Sequence, residues 1–227
     1  MTDIIEVKAG IEAENDRYAA EVRSLLKEHH VHLINLMASP GAGKTSLLEQ
    51  TIDRLKAEYR FAVLEADADA DVDAKRIEAR GARAIQVHTG GSCHMDASMT
   101  LQALKMLDLD SFDLIFLENV GNLVCPAEFD TGADLKVVIL SVPEGDDKPL
   151  KYPLMFRVAD CLLINKIDTD EIFDFDLQKL REHIAPLNPS IQIIPISAFT
   201  GSGIENWLIY LREKLIEWNR DRGLGIF

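Results

Sequence analysis

A strand, a glycine-bearing loop and a helix in immediate succession constrain this chain more than any other stretch. Val31 to Met37 is an apolar run, Ala38-Ser-Pro-Gly-Ala-Gly-Lys-Thr45 follows it, and Ser46-Leu-Leu-Glu-Gln-Thr51 starts a helical pattern. That order builds a phosphate cradle. Gly41 and Gly43 let the backbone turn so that N–H groups, including those of Ala42 and Ser46, face phosphate oxygens at the positive end of the new helix. Lys44 is positioned to neutralise the β and γ phosphates, and Thr45 to offer its hydroxyl to Mg²⁺. Ala38 stands where the first glycine usually falls, and its single added methyl group is small enough to fit.

A second motif selects the base. Asn165-Lys166-Ile167-Asp168 comes directly after the apolar run Cys161–Ile164, at the carboxyl end of a strand, where open α/β sheets bind ligands. A carboxylate can accept from both N1–H and the C2 amine of guanine, whereas adenine has an acceptor at N1 and no amine at C2. Asp168 therefore points to GTP and GDP rather than adenine nucleotides. Ser197-Ala198-Phe199 follows another strand-like run, Ile191 to Ile196, and resembles the loop that closes over the guanine edge in GTPases.

The 227 residues, 47% of them hydrophobic, suffice for one large core, so a single domain over 1–227 is expected. A net charge of −14 disfavours nucleic acid or an anionic membrane as partner. The chain has no run of about 18 apolar residues, and Met1–Glu6 lacks the basic and apolar parts of a secretory signal. A cytoplasmic location is expected, and three cysteines argue against a disulfide framework.

Apolar positions on one face predict an N-terminal helix over Gly10–Glu28 packed beside the sheet. Strands are predicted at Val31–Met37, Phe61–Glu65, Ala84–His88, Leu114–Leu117, Lys136–Ser141, Cys161–Asn165 and Gln192–Ile196. Most are unalternating apolar runs, the pattern of strands buried on both faces. Helices are predicted at Thr45–Tyr59, Asp73–Arg80, Asp96–Leu107, Leu150–Val158, Leu177–Ile184 and Gly203–Glu217. The fold class is α/β, a mainly parallel central sheet with helices on both faces. His29, His30 and His32 read as ordinary junction residues and receive no function.

Cys93 and His94 follow Thr89-Gly-Gly-Ser92 in a loop expected to open a helix, with Ser92 as its cap. Cys93 would then lie in the first helical turn, where the dipole favours a thiolate. Cys125, in the loop leaving the next strand, reaches the same sheet edge. Such donors suit Zn²⁺ or Ni²⁺, not Mg²⁺. Spacing alone leaves a second reading open, in which these cysteines are small apolar residues, and Cys161, inside an apolar strand, reads as core.

Taken together, these strings resemble the hydrogenase nickel-incorporation GTPases, the HypB family of SIMIBI-class P-loop proteins. The resemblance rests on Asn35 to Thr45, Thr89 to Ala97, Glu118-Asn-Val-Gly-Asn-Leu-Val-Cys-Pro126, Glu144 to Pro149 and Asn165 to Asp168. It implies GTP hydrolysis, GTP-linked homodimerisation and delivery of nickel to [NiFe] hydrogenase. The implied partners are a hydrogenase maturation metallochaperone and the hydrogenase large-subunit precursor. It also implies metal at Cys93, His94 and Cys125. In the acidic stretch Glu65 to Asp73, Asp67 is the residue expected to hold Mg²⁺ through water or to orient the attacking water. Glu118 is a further Mg²⁺ candidate, with Gly121 as the glycine that senses the γ-phosphate. The catalytic set is thus Lys44, Asp67 and Gly121.

Two features depart from the family pattern. Ala66 and Ala70 stand where relatives carry glycine and a polar threonine, and Met1–His30 holds no cysteine and two histidines, so no nickel-storage segment is expected. Competing readings are a nickel-insertion GTPase for urease or carbon monoxide dehydrogenase, a P-loop small-molecule kinase, and a nucleotide-gated binding protein with little hydrolysis. Contiguous Cys93-His94 with Cys125, in place of a Cys-Pro-His string, favours the hydrogenase client.

Overall fold

The computed structural model describes residues 7–66 and 72–222. Seven strands form one sheet in the order β3-β2-β4-β1-β5-β6-β7, every neighbouring pair parallel. They are β1 (His32–Ala38), β2 (Phe61–Glu65), β3 (Arg83–Gln86), β4 (Leu114–Glu118), β5 (Leu135–Ser141), β6 (Cys161–Asn165) and β7 (Gln192–Pro195). The expected α/β architecture is what forms, and the sheet is parallel throughout. Every residue of β1, β2, β4 and β6 is buried, because helices cover both faces of these Val/Ile/Leu runs.

Alternate residues of each strand feed opposite cores. Ile34, Leu36, Val63, Phe116 and Leu163 face α2 (Lys44–Leu55), α3 (Val72–Glu78) and α9 (Ile204–Asp221), with Trp207 wholly buried among them. Leu33, Leu64 and Ile115 face α1 (Val7–Glu28) and α4 (Ala97–Leu104). Farther along that same side, Val138 and Leu162 meet α7 (Pro153–Val158) and α8 (Leu177–Ile184). The N-terminal helix does pack beside the sheet, burying Ala19, Val22 and Leu26.

Two expectations fail for local reasons. Residues 150–158 do not make one helix. Pro153 has no N–H to donate and forces Tyr152 out of helical geometry (φ −129°, ψ 56°), leaving α6 (Lys148–Lys151) and α7 as separate turns. The helix after Cys93 starts at Ala97, within a residue of the predicted Asp96, but its cap is Asp96, whose carboxylate accepts from Met99 N at 2.9 Å. Ser92 caps nothing there, and Cys93 lies in a loop. No helix among the described residues is long and apolar enough to cross a membrane.

Strand order reverses on either side of β1, which sits between β4 and β5. The loops leaving β1, β2, β4, β6 and β7 therefore gather at one edge, where such sheets bind ligands.

Candidate nucleotide and metal sites

The loop after β1 supplies a cleft of 450 Å³ lined by Gly41, Gly43, Lys44, Thr45, Glu118 and Gly121, among others. Gly41 (φ 74°) and Gly43 (φ 104°) take left-handed conformations that a side chain resists. A β-carbon at Gly43 would also collide with the Asn165 amide. At Gly121 it would come within 2.9 Å of the Pro40 ring, so the candidate phosphate-sensing glycine lies directly against the phosphate loop.

Asn165 is a brace. It is buried, its Nδ2 donates to Ala42 O at 2.8 Å, and its Oδ1 accepts from Lys166 N at 2.8 Å and Ala198 N at 3.0 Å. One amide thereby fixes the phosphate loop to both base-recognition loops. Lys166, itself left-handed, reaches back so that Nζ donates to Gly41 O at 2.7 Å. Lys166 also lines an adjoining 330 Å³ cleft with Gly43, Ser46, Gln50, Ala198 and Phe199, among others. The Ser197 hydroxyl donates to Asp168 and holds that carboxylate in place. Gln50 Nε2 donates to Ala198 O at 3.0 Å, tying the closing loop to α2.

The magnesium candidates converge in part. Thr45 Oγ1 donates to Glu118 Oε1 at 2.9 Å. Asp67 lies outside the described residues. Sequence reasoning passed over Glu65, which pairs in register with Glu118 at the ends of adjacent strands. Both acids are buried, at 4% and 7% exposure. Glu118 beside the Thr45 hydroxyl, with Glu65 at the end of the adjacent strand, offers oxygen donors of the kind a hard divalent cation takes. An acidic residue closing an apolar strand was the available signal for Glu65. Arg76 of α3 lines both clefts, tethered to Glu49 at 2.6 Å and Asp73 at 2.9 Å, and nothing in its local sequence marked it.

Cys93, His94 and Cys125 do come together, their donor atoms all within 4.8 Å of one another. The two sulfurs face each other at 2.6 Å, and His94 Nδ1 is 3.7 Å from Cys93 Sγ. Cys93 lies outside any helix, whereas Cys125 opens the four-residue helix α5 (Cys125–Glu128). Contact with the Cys125 thiol, then burial, holds the Cys93 thiol above its usual range. Burial shifts His94 the other way, keeping its imidazole neutral and ready to bind metal. The Phe129 ring stacks on His94 with centroids 4.2 Å apart. Cys161 is buried in β6, as its apolar run implied.

The two sites share the loop from Glu118 to Cys125. Glu118 takes the Thr45 hydroxyl, and Asn119 Oδ1 accepts from Met95 N at 2.9 Å. Asn122 Nδ2 donates to Cys93 O at 3.2 Å. The Glu144–Lys148 stretch is spent locally: Glu144 accepts from Ser141, Asp146 accepts from Asp176 N, and Asp147 pairs with Lys151. Two larger cavities, of 640 and 740 Å³, lie at the amino ends of the strands and share no residue with either site.

A parallel sheet with this phosphate loop at its carboxyl edge defines a P-loop nucleotide-binding protein. Residues 32–195 match the family described as CobW/HypB/UreG, nucleotide-binding domain. The chain belongs to the HypB family of hydrogenase maturation factors. It is 46% identical over 211 residues to hydrogenase maturation factor HypB of Azotobacter vinelandii, covering 93% of this chain and 70% of that one. HypB from Helicobacter pylori, solved in complex with nickel, superimposes with a TM-score of 0.86 at 39% identity, covering 90% of this chain and 96% of that one. HypB from Archaeoglobus fulgidus gives 0.84 at 39% identity, over 89% and 99%.

Proposed function

We propose that this chain is a cytoplasmic GTP-hydrolysing metallochaperone that loads nickel during [NiFe] hydrogenase maturation, its residues 1–227 acting as one P-loop GTPase unit. The observation that carries this reading is the Glu118–Cys125 loop, which touches the nucleotide cleft at one end and supplies a metal thiol at the other.

In this scheme the backbone of Gly41 to Ser46 and the Lys44 ammonium bind the phosphates, and Asp168 accepts from the guanine edge. Asn165, Lys166, Ser197 and Ala198 hold the base loops closed. Thr45 and Glu118, joined by Asp67, would hold Mg²⁺, which when bound supplies charge neutralisation to the phosphates. A water activated beside Asp67 attacks the γ-phosphorus, the bond to the β,γ-bridging oxygen breaks, and the proton leaves with inorganic phosphate. Loss of the γ-phosphate frees Gly121 from its seat against Pro40. That movement is transmitted along the loop to Cys125, altering the set formed with Cys93 and His94. The soft donors accept Ni²⁺ as cargo, and Zn²⁺ as well. GTP binding joins two subunits, and a hydrogenase maturation metallochaperone and the large-subunit precursor stand on either side of the transfer.

Sedimentation of the reduced protein with GDP or a non-hydrolysable GTP analogue, with and without one equivalent of Ni²⁺, tests the scheme. A dimer that needs the GTP analogue and responds to Ni²⁺ is expected, with the metal response lost in Cys93→Ala/Cys125→Ala. A monomer indifferent to both would overturn it.

A further inference from the structure

One residue of α1 belongs with the metal site, although it is distant from it in sequence. The buried stripe of α1 runs through Ala19, Val22 and Leu26, and Asn15 occupies the same stripe at 7% exposure. An amide on an otherwise apolar face is costly unless both its polar atoms are bonded. Here Nδ2 donates to Asp130 O at 2.9 Å, and Oδ1 accepts from Ala97 N at 3.0 Å.

Those two backbone groups sit on the two segments that carry the metal donors. Ala97 starts α4 three residues after His94, and its N–H belongs to a helix's first turn, where no carbonyl of the helix itself can accept it. Asp130 follows Phe129, whose ring stacks on His94, in the segment that begins with Cys125. The same helix supports that segment at two further levels. Arg23 pairs with the Asp130 carboxylate. Gly132 passes so close to α1 that a β-carbon there would stand 2.6 Å from Val22.

We propose that Asn15 is a positioning residue of the soft-metal site, a side chain of α1 that fixes the start of α4, just after Cys93 and His94, relative to the Cys125–Asp130 segment. The proposal rests on the reading of Cys93, His94 and Cys125 as nickel ligands. Three donors on two segments bind a metal only as well as the segments hold their spacing. Supporting hydrogen bonds of this kind set metal affinity by about tenfold or more. The N-terminal helix thereby acquires a role in metal binding without contributing a ligand.

The test uses the full-length protein and Ni²⁺ itself, with affinity measured by chelator competition and geometry by the sulfur-to-nickel charge-transfer absorption. Asn15→Ala is expected to weaken Ni²⁺ about tenfold and shift the absorption, while GDP affinity stays within about twofold. Asn15→Asp keeps the acceptor for Ala97 N but loses the donor to Asp130 O, so it should fall between Asn15→Ala and the parent. It decides the matter if Asn15→Ala does not fold. Leu26→Ala, a packing change in the same helix, should lower thermal stability and leave Ni²⁺ affinity within about twofold. Parent-like Ni²⁺ affinity in both Asn15 variants would overturn the proposal. So would equal losses of Ni²⁺ and GDP affinity, or a Leu26→Ala loss as large as that of Asn15→Ala. If Cys93→Ala/Cys125→Ala binds Ni²⁺ as tightly as the parent, the ligand reading itself has failed instead.

Discussion

The nucleotide site and the metal site lie at the same sheet edge but are built differently. Around the phosphate loop, Ala42, Asn165 and Ala198 are buried and bound to one another through a single amide. The candidate metal donors sit on the loop before α4 and at the start of α5, with Cys93 exposed and His94 and Cys125 only partly covered. A site that must place a transition state needs fixed groups. On the proposed function, the metal site must surrender its cargo and needs open groups, and three protein donors would leave a coordination position for whatever receives the metal.

That contrast predicts unequal sensitivity to small changes. The largest effect is expected for Gly43→Ala, where the new methyl meets both a left-handed backbone and the Asn165 amide. Nucleotide affinity should fall at least a hundredfold by calorimetry, about 3 kcal/mol, with Ni²⁺ binding to the GDP-free protein retained. Parent-like GDP affinity would dissolve the picture of an interlocked cradle.

Asp168→Asn comes next. It should cost GTP about a hundredfold, because buried guanine donors lose their acceptor. Xanthosine triphosphate, which carries a carbonyl at C2, should gain where GTP loses. Competition between the two nucleotides checks this, and unchanged preference would remove Asp168 from the base pocket.

A smaller, graded effect is expected for pH at the metal site. The Cys93 thiol is held protonated by its Cys125 neighbour, so bound Ni²⁺ must displace a proton. Ni²⁺ affinity should therefore rise with pH, by up to about tenfold per unit for each proton displaced, until the thiols ionise unaided. Burial lowers the His94 pKa, which lessens proton competition at its imidazole. Competition titrations from pH 6 to 9 read the slope. A flat profile would show that no thiol proton is displaced.

The nucleotide site was the more legible of the two in the sequence. Its strand, loop and helix signals are local, and β2 and β6 fell where their apolar runs ended. The metal site depended on tertiary choices. Ser92 and Asp96 are both competent caps, and what selects Asp96 is that Met95 is drawn into the core while its N–H is taken by Asn119. Proline chemistry could have predicted the break at Tyr152, since the residue before a proline avoids helical geometry. Asn15 was visible in principle, as a polar interruption spaced with Ile11, Ala19, Val22 and Leu26 along one helical face. Its partners, 82 and 115 residues away, were not. Arg76 gave no local sign of its place between the two clefts.

The central claim is that the two sites are linked through the Glu118–Cys125 loop. The most direct test is to measure Ni²⁺ affinity of the reduced protein with GDP and with a non-hydrolysable GTP analogue, and each nucleotide's affinity with and without Ni²⁺. The account predicts a difference of at least about fivefold between nucleotide states, matched by an equal factor in the reciprocal measurement, as thermodynamic linkage requires. Identical Ni²⁺ affinity in both nucleotide states would contradict it.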